Sequence, residues 1–134
     1  MHWDEVLKFW FEEIEPAKHW VKDLEFDQLI RDRFGKLHTA AIHGELYEWR
    51  QDPNGRLAEI IVLDQFSRNM FRDKPESFAY DGMALILAQE AVAAGDHDRI
   101  DPERKSFMLM PYMHSESAAM HEFCLLYTSD AADD

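Results

Sequence analysis

At 134 residues, 46% of them hydrophobic, the chain has the length of one domain and enough apolar side chains to bury a core. Its 14 basic and 27 acidic residues give a formal charge of −13, which repels phosphate backbones and anionic membranes, so neither nucleic acid nor a membrane is an expected partner. The N-terminal segment is acidic and no apolar run approaches the roughly 20 residues of a membrane span, which predicts a soluble, cytoplasmic protein.

Apolar residues at helical spacing predict two helices near the N-terminus. The first is capped by Asp4 and interrupted by Pro16. The second extends from about Phe26 to His43 and ends at Gly44, and Gly35 within it is expected to mark a close contact with another helix. Its buried stripe is predicted to contain Phe26, Leu29, Ile30, Phe34, Leu37, Ala40 and Ala41.

A third helix follows the segment DPNG. This segment, Asp52 to Gly55, carries residue types that favour a turn, so the helix is predicted to begin behind it at Arg56 or Leu57. The helix leads into LDQFSRNMFR, Leu63 to Arg72, where apolar residues give way to charged and amide side chains.

Three further helices are predicted in the second half of the chain. A fourth spans about 80–95, a fifth spans 101–111 with Asp101 as its N-cap and Pro111 as its end, and a sixth begins near Ser115. No alternating strand pattern competes with these helices. The sequence therefore predicts an all-α fold of about six helices, arranged as stacked antiparallel pairs with short connections.

The polar stretch Leu63 to Arg72 continues a helix that is apolar on both sides. On a helical wheel started at Leu57, Asp64 and Arg68 return to the direction of the preceding apolar residues. Because a helix that is apolar on both sides is usually buried on both sides, Asp64 and Arg68 are predicted to face the core. They are four residues apart, so they can reach each other.

This stretch has a structural and a functional interpretation. In the structural one, which the spacing alone favours, Asp64 and Arg68 form a buried ion pair, and removal of one partner costs roughly 3–5 kcal/mol. In the functional one, Arg68, Asn69 and Arg72 donate hydrogen bonds to an anion or carboxylate while Asp64 orients an arginine. The candidate ligand-binding residues are Asp64, Gln65, Arg68, Asn69, Arg72, His114 and Ser115.

MPYMHSE, Met110 to Glu116, is the second candidate site. Pro111 is expected to end one helix and Ser115 to cap the next, which holds His114 at a junction from which its ring can point into a groove. There His114 could transfer protons with Glu116 as its partner, or it could serve as hydrogen-bonded packing. The candidate catalytic residues are His114, Asp64 and Glu116.

The remaining motifs indicate neither a metal nor a cofactor. His114 and His121 are seven residues apart, but helical zinc sites use tighter spacing with further ligands, and HExxH is absent. The sequence contains no GxSxG motif, phosphate loop or dinucleotide fingerprint. The other histidines, predicted on the surface, in loops or on different helix faces, are His2, His19, His38, His43 and His97.

The tail CLLYTSDAADD, Cys124 to Asp134, is predicted to be non-native. These consecutive residues agree with one reading frame of a transposase adapter used in DNA sequencing. The native helical domain is therefore predicted to span 1–123, and Cys124, the only cysteine, receives no functional interpretation.

Five segments together resemble one bacterial family. With VLKFWF, FDQLIRDRFG, LAEIIVLDQFSRNMFR, SFAYDGMALILA and FMLMPYMHSE in this order, the chain resembles the family of domain of unknown function 924 from about Val6 to Glu122. The resemblance implies a helical fold similar to tetratricopeptide repeats and implies no established activity.

The chain departs from the pattern of that family in three ways. Family members usually carry proline at the position of Ser67, and a proline there would break or kink the helix near Phe66. They usually carry an acidic residue at Ser117 and glutamine at His121. They also continue with further helices that carry a second cluster echoing QFSRN. The resemblance therefore implies that the domain is incomplete at its C-terminus. If the two clusters face each other in the complete protein, this chain holds part of a site.

Three functions are consistent with these residues. The first is a binding module that holds a small acidic ligand or a peptide in a polar groove between helices. The second is an enzyme, hydrolytic for example, in which His114 or Asp64 acts as acid or base on an anionic substrate held by arginines. In the third, the polar motifs only brace helix junctions. The sequence leaves the oligomeric state open.

Overall fold

The computed structural model describes the backbone of residues 1–133 and the side chains of residues 1–126, so the predicted non-native segment 124–134 lies mostly outside the described side chains. The described residues form helices and connecting turns, with no β-strand among them. The prediction of an all-α fold with about six helices is confirmed, since Pro53–Ile61 and Ser67–Met70 belong to one continuous helix. The helices are α1 (Trp3–Lys8), α2 (Leu24–Ile42), α3 (Pro53–Ile61), α4 (Ser67–Met70), α5 (Asp81–Ala93), α6 (Lys105–His114) and α7 (Ala118–Asp133).

Two wider π-helical turns extend these helices. Phe9–Glu13 continues α1, and Val62–Phe66 joins α3 to α4. All five residues of the second π-helical turn are buried, which agrees with the prediction that this helix is buried on both sides. π-Helical turns are rare in proteins, and those that exist are frequently found at functional sites. Shorter 3₁₀ turns lie at Pro16–His19, Tyr47–Gln51, Pro75–Ser77, Asp96–Asp98 and Pro102–Arg104.

The continuous helix formed by α3, its π-helical turn and α4 lies at the centre of the fold. Its α3 part contacts α1, α5 and α6, and its α4 part contacts α2. Phe9, Phe34 and Phe66 meet in the core, with ring centroids 5.0 Å apart for Phe9 and Phe34 and 4.8 Å apart for Phe34 and Phe66. These contacts join α2 and the turn after α1 to the central helix, which places the polar side chains of that helix among fixed neighbours.

The helix starts differ from two of the predictions. α1 is capped by His2, whose Nδ1 accepts the backbone N–H of Asp4 at 3.1 Å, so the predicted cap at Asp4 is wrong. The DPNG segment is predicted to be a connecting turn that precedes α3, but it forms the N-cap and the first helical turn of α3. Asp52 is the N-cap and accepts the N–H of Asn54 at 2.8 Å, and Pro53 occupies the first helical position, where its missing N–H has no consequence.

The helix ends also differ from the prediction in one place. Gly44 and Gly95, with φ of 74° and 77°, follow α2 and α5 as expected for left-handed C-terminal residues. Pro111, however, lies inside α6, which ends at His114. Buried residues on both sides of Pro111 pack this helix against α3, α5 and α7, and this packing outweighs the hydrogen bond that proline removes.

Several predictions about individual residues are corrected. Leu29 is predicted to be buried but is exposed, whereas Asp27 lies on the buried face of α2. Gly35 marks no close helix contact, since no atom lies within 4 Å of the position where a Cβ would stand. Asp101 makes no side-chain capping hydrogen bond. His97 lies in the turn Asp96–Asp98 between two helices, and its side chain is buried. Among the described residues, no helix has the length and apolar character that spanning a membrane requires.

Candidate functional site

Asp64 lies at the centre of the candidate site. It stands in the π-helical turn of the central helix, and its side chain is fully buried. Its Oδ1 accepts hydrogen bonds from Arg68 Nη1 and His114 Nδ1, each at 2.7 Å, and its Oδ2 accepts one from Gln65 Nε2 at 3.1 Å. The structure therefore brings the two candidate motifs of the sequence together on one carboxylate.

Arg68 is held by two carboxylates. Besides Asp64, it binds Asp81 at the start of α5 through two parallel hydrogen bonds, Nη1 to Oδ1 at 2.9 Å and Nη2 to Oδ2 at 3.0 Å. Its guanidinium also lies 5.5 Å from the centre of the Phe78 ring. This bidentate geometry fixes the plane of the guanidinium. Asp81 is a residue of the site that the sequence did not indicate.

Asp27 binds the second arginine. Its carboxylate, buried in α2, accepts hydrogen bonds from Arg72 Nε at 2.6 Å, Arg72 Nη2 at 3.0 Å and Asn69 Nδ2 at 2.9 Å. The hydrogen bond to Asp27 raises the pKa of Arg72 above its already high value. The spacing of Asp27 from Ile30 and Phe34, three and seven residues further on, was a sequence signal that it lies on the buried face of α2.

His114 is oriented by Asp64. An ionised carboxylate only accepts hydrogen bonds, so the contact requires a proton on Nδ1; in the tautomer that carries only this proton, Nε2 has a free lone pair. Within the described part of the chain, His114 Nε2 has no hydrogen-bond partner. The ring of His114 pairs with the buried carboxylate of Asp64, and among the described residues no hydrogen bond joins it to Glu116, the partner that the sequence suggested.

His38 and Ser67 form a second buried pair behind the site. His38 Nε2 lies 2.7 Å from Ser67 Oγ, and both side chains are buried. Burial lowers the pKa of His38, which keeps the ring neutral. Since Ser67 lies in the continuous central helix, the hydroxyl fastens that helix to α2 and thereby supports the position of Arg68 beside it.

Two grooves lie on either side of Arg68 and His114. The smaller groove has a volume of about 220 Å³, and Gln65, Asn69 and Arg72 also line it. The larger groove has a volume of about 680 Å³, and Ser115 and Glu116 also line it. Asp64 lies behind both grooves and lines neither. The smaller groove is lined by His19, Trp20, Val21, Gln65, Arg68, Asn69, Arg72, Met110 and His114. The larger is lined by Arg68, Phe78, Asp81, Gly82, Leu85, His114, Ser115 and Glu116.

His19, which the sequence predicts to lie on the surface or in a loop, is in the turn Pro16–His19 and lines the smaller groove. Its Nε2 donates to the carbonyl oxygen of Trp10 at 2.7 Å, and its ring stacks on the Trp10 ring with centroids 4.3 Å apart. Burial lowers the pKa of His19 more than the bond to this carbonyl raises it. Among the described residues, no three side chains of the His, Cys, Asp and Glu types are arranged to hold a metal ion.

The chain is similar to known proteins over a range that includes every residue of this site. The family model described as "Bacterial protein of unknown function (DUF924)" matches residues 6–134. Among solved structures, a protein of unknown function from Agrobacterium tumefaciens matches with a TM-score of 0.88 and 30% sequence identity, covering 98% of this chain and 78% of that one. No curated protein matches the chain.

Proposed function

Because the chain belongs to the DUF924 family of bacterial proteins of unknown function, we propose a function from the site itself: the protein binds a small ligand that carries a carboxylate or another anionic group. The smaller groove is the proposed binding site. The ligand's anionic group accepts hydrogen bonds from Arg72 and Arg68, with His114 beside it.

The observation that carries this proposal is the charge of the groove lining. The protein has a formal charge of −13, yet no carboxylate lines the smaller groove among the described residues, whereas two arginines do. The carboxylates of Asp27 and Asp64 stand behind those arginines. Asp27 occupies Nε and Nη2 of Arg72, while Nη1 has no partner in the described part of the chain and remains available to a ligand.

The buried carboxylates also prepare the groove for binding. They hold both guanidinium groups before a ligand arrives, so little side-chain entropy is lost on binding. They also neutralise much of the arginine charge, which favours modest affinity over tight binding. A single hydrogen bond to a charged group contributes about 1.5–3 kcal/mol, and 1.4 kcal/mol corresponds to a tenfold change in affinity.

Exchange of Arg72 for lysine is expected to weaken anion binding about tenfold or more. The lysine ammonium can still pair with Asp27, but it lacks the second nitrogen that faces a ligand. The measurement is titration calorimetry with acetate, phosphate and citrate at low ionic strength. The control is Arg50→Lys, because Arg50 holds buried Glu59 through two bonds of 2.8 Å and lines neither groove. Binding that is equal in Arg72→Lys and the wild type would contradict the proposal.

A second function, acid–base catalysis, is favoured by the geometry of His114. A ring that donates from Nδ1 to a buried carboxylate and presents a lone pair on Nε2 is arranged to accept a proton from water or a hydroxyl group. Exchange of His114 for alanine is expected to lower turnover by about 10²–10⁴-fold on any ester or phosphoester of a screening panel that the wild type hydrolyses. Equal turnover in both proteins would exclude this role for His114.

A further inference from the structure

We propose that the ligand is bipolar. Beyond the anionic group in the smaller groove, it carries an ammonium or guanidinium group at the end of a short apolar chain, and this end lies in the larger groove. The inference rests on the proposed function, since it extends the same ligand past Arg68 and His114, the two residues that line both grooves.

The two grooves differ in the sign of their lining. The smaller one has two arginines and no carboxylate among the described residues, whereas the larger one has one arginine and two carboxylates, Asp81 and Glu116. Arg68 is common to both, and its charge is compensated by Asp64 and Asp81. A ligand that crosses from one groove to the other therefore meets hydrogen-bond donors first and a free carboxylate last.

Glu116 is the carboxylate available to a cation. Asp81 gives both oxygens to Arg68, but Glu116 has no hydrogen bond or ion pair among the described residues. It is exposed, so an approaching ammonium group loses only part of its hydration. The Ser115 hydroxyl, which accepts the N–H of Ser117 at 3.1 Å, keeps its own proton for a second acceptor in the same groove.

The walls of the larger groove suit an alkyl chain that ends in a cation. Phe78 is 63% exposed, and one face of its ring lies over the Arg68 guanidinium, so the ring already accepts a cation. Leu85 adds apolar surface on α5. At Gly82 no atom lies within 4 Å of the position of a Cβ, so the groove is open there. A groove of about 680 Å³ is within the range of small-molecule sites.

The test compares three small molecules by titration calorimetry. These are ε-aminocaproate, caproate, which lacks the amine, and hexylamine, which lacks the carboxylate. ε-Aminocaproate is expected to bind about tenfold more tightly than caproate, because only it reaches Glu116 with a positive charge. Glu116→Gln is expected to remove this tenfold difference, because the amide carries no negative charge to pair with the amine.

The outcomes separate this inference from the proposed function. Equal affinities for ε-aminocaproate and caproate would overturn the bipolar ligand while anion binding stands. Failure of both acids to bind, or hexylamine binding as tightly as ε-aminocaproate, would overturn the anion site and with it the bipolar ligand.

A substitution that fills the larger groove tests where the amine lies. Gly82→Leu is expected to abolish the tenfold difference without affecting acetate binding, because the new side chain occupies the open space on α5. Gly35→Leu is the matched control: this glycine is also helical with no atom near its Cβ position, and it lines neither groove. An unchanged difference in Gly82→Leu would contradict the inference.

Discussion

Alanine in place of Asp64 is expected to lower the free energy of unfolding by about 3–5 kcal/mol. The side chain is fully buried and accepts from Arg68, His114 and Gln65, so its removal leaves three donors facing a space without an acceptor. Urea denaturation followed by circular dichroism measures the loss. Heating should show a fall in melting temperature of about 10 °C or more for a domain of this size.

The control for this substitution is an exposed ion pair. Glu13 and Arg33 are joined at 2.7 Å, but both side chains are more than a third exposed. Glu13→Ala is therefore expected to change the stability far less than Asp64→Ala does, because solvent screens an exposed ion pair. Should Asp64→Ala cost no more than Glu13→Ala, the carboxylate would not be the buried centre of the site.

The binding proposal and a purely architectural role of Asp64 differ in what Asp64→Asn does. Asparagine has almost the same shape, so the ring of His114 and the guanidinium of Arg68 keep an acceptor while the buried negative charge is lost. An architectural role changes the melting temperature alone. A site that binds anions through Arg68 also changes its affinity for acetate, because the charge that compensates this arginine has been removed.

The central helix and its inward aspartate could be predicted because hydrophobic periodicity is a local property. Asp64 repeats the direction of apolar residues one and two turns earlier, so its burial follows from spacing alone. The partners of the arginines could not be predicted in this way. Asp27 and Asp81 come from α2 and α5, and which acid faces which arginine depends on how these helices pack on the central helix.

The errors at helix boundaries have a related cause. Pro53 and Pro111 are read as breaks in a sequence, but each is accommodated by its position: Pro53 at a helix start, where its N–H is not needed, and Pro111 within buried packing. The π-helical turn at Val62–Phe66 is not visible to a wheel of constant angle. Arg72 lies beyond the end of α4 at Met70, where a helical wheel no longer applies, and its side chain binds Asp27 of α2.

Alanine at Gly55 is expected to destabilise the protein by about 3 kcal/mol or more, or to prevent folding, although alanine is the better helix former. A Cβ at this position would lie 2.0 Å from the carbonyl oxygen of Trp49 and 2.8 Å from its carbonyl carbon. That carbonyl accepts the N–H of Asp52 at 3.3 Å, so the start of α3 would have to move away from the preceding turn.

The matched substitution Gly35→Ala is expected to have the opposite sign, a gain of about 0.5–1 kcal/mol, because this helical position is open and alanine restricts the unfolded chain. Denaturation of both variants in urea measures the two changes. Since α3 runs directly into the turn that holds Asp64, folded Gly55→Ala protein should also bind acetate less tightly than Gly35→Ala. Two glycines that tolerate alanine equally well would contradict the close approach of α3 to Trp49.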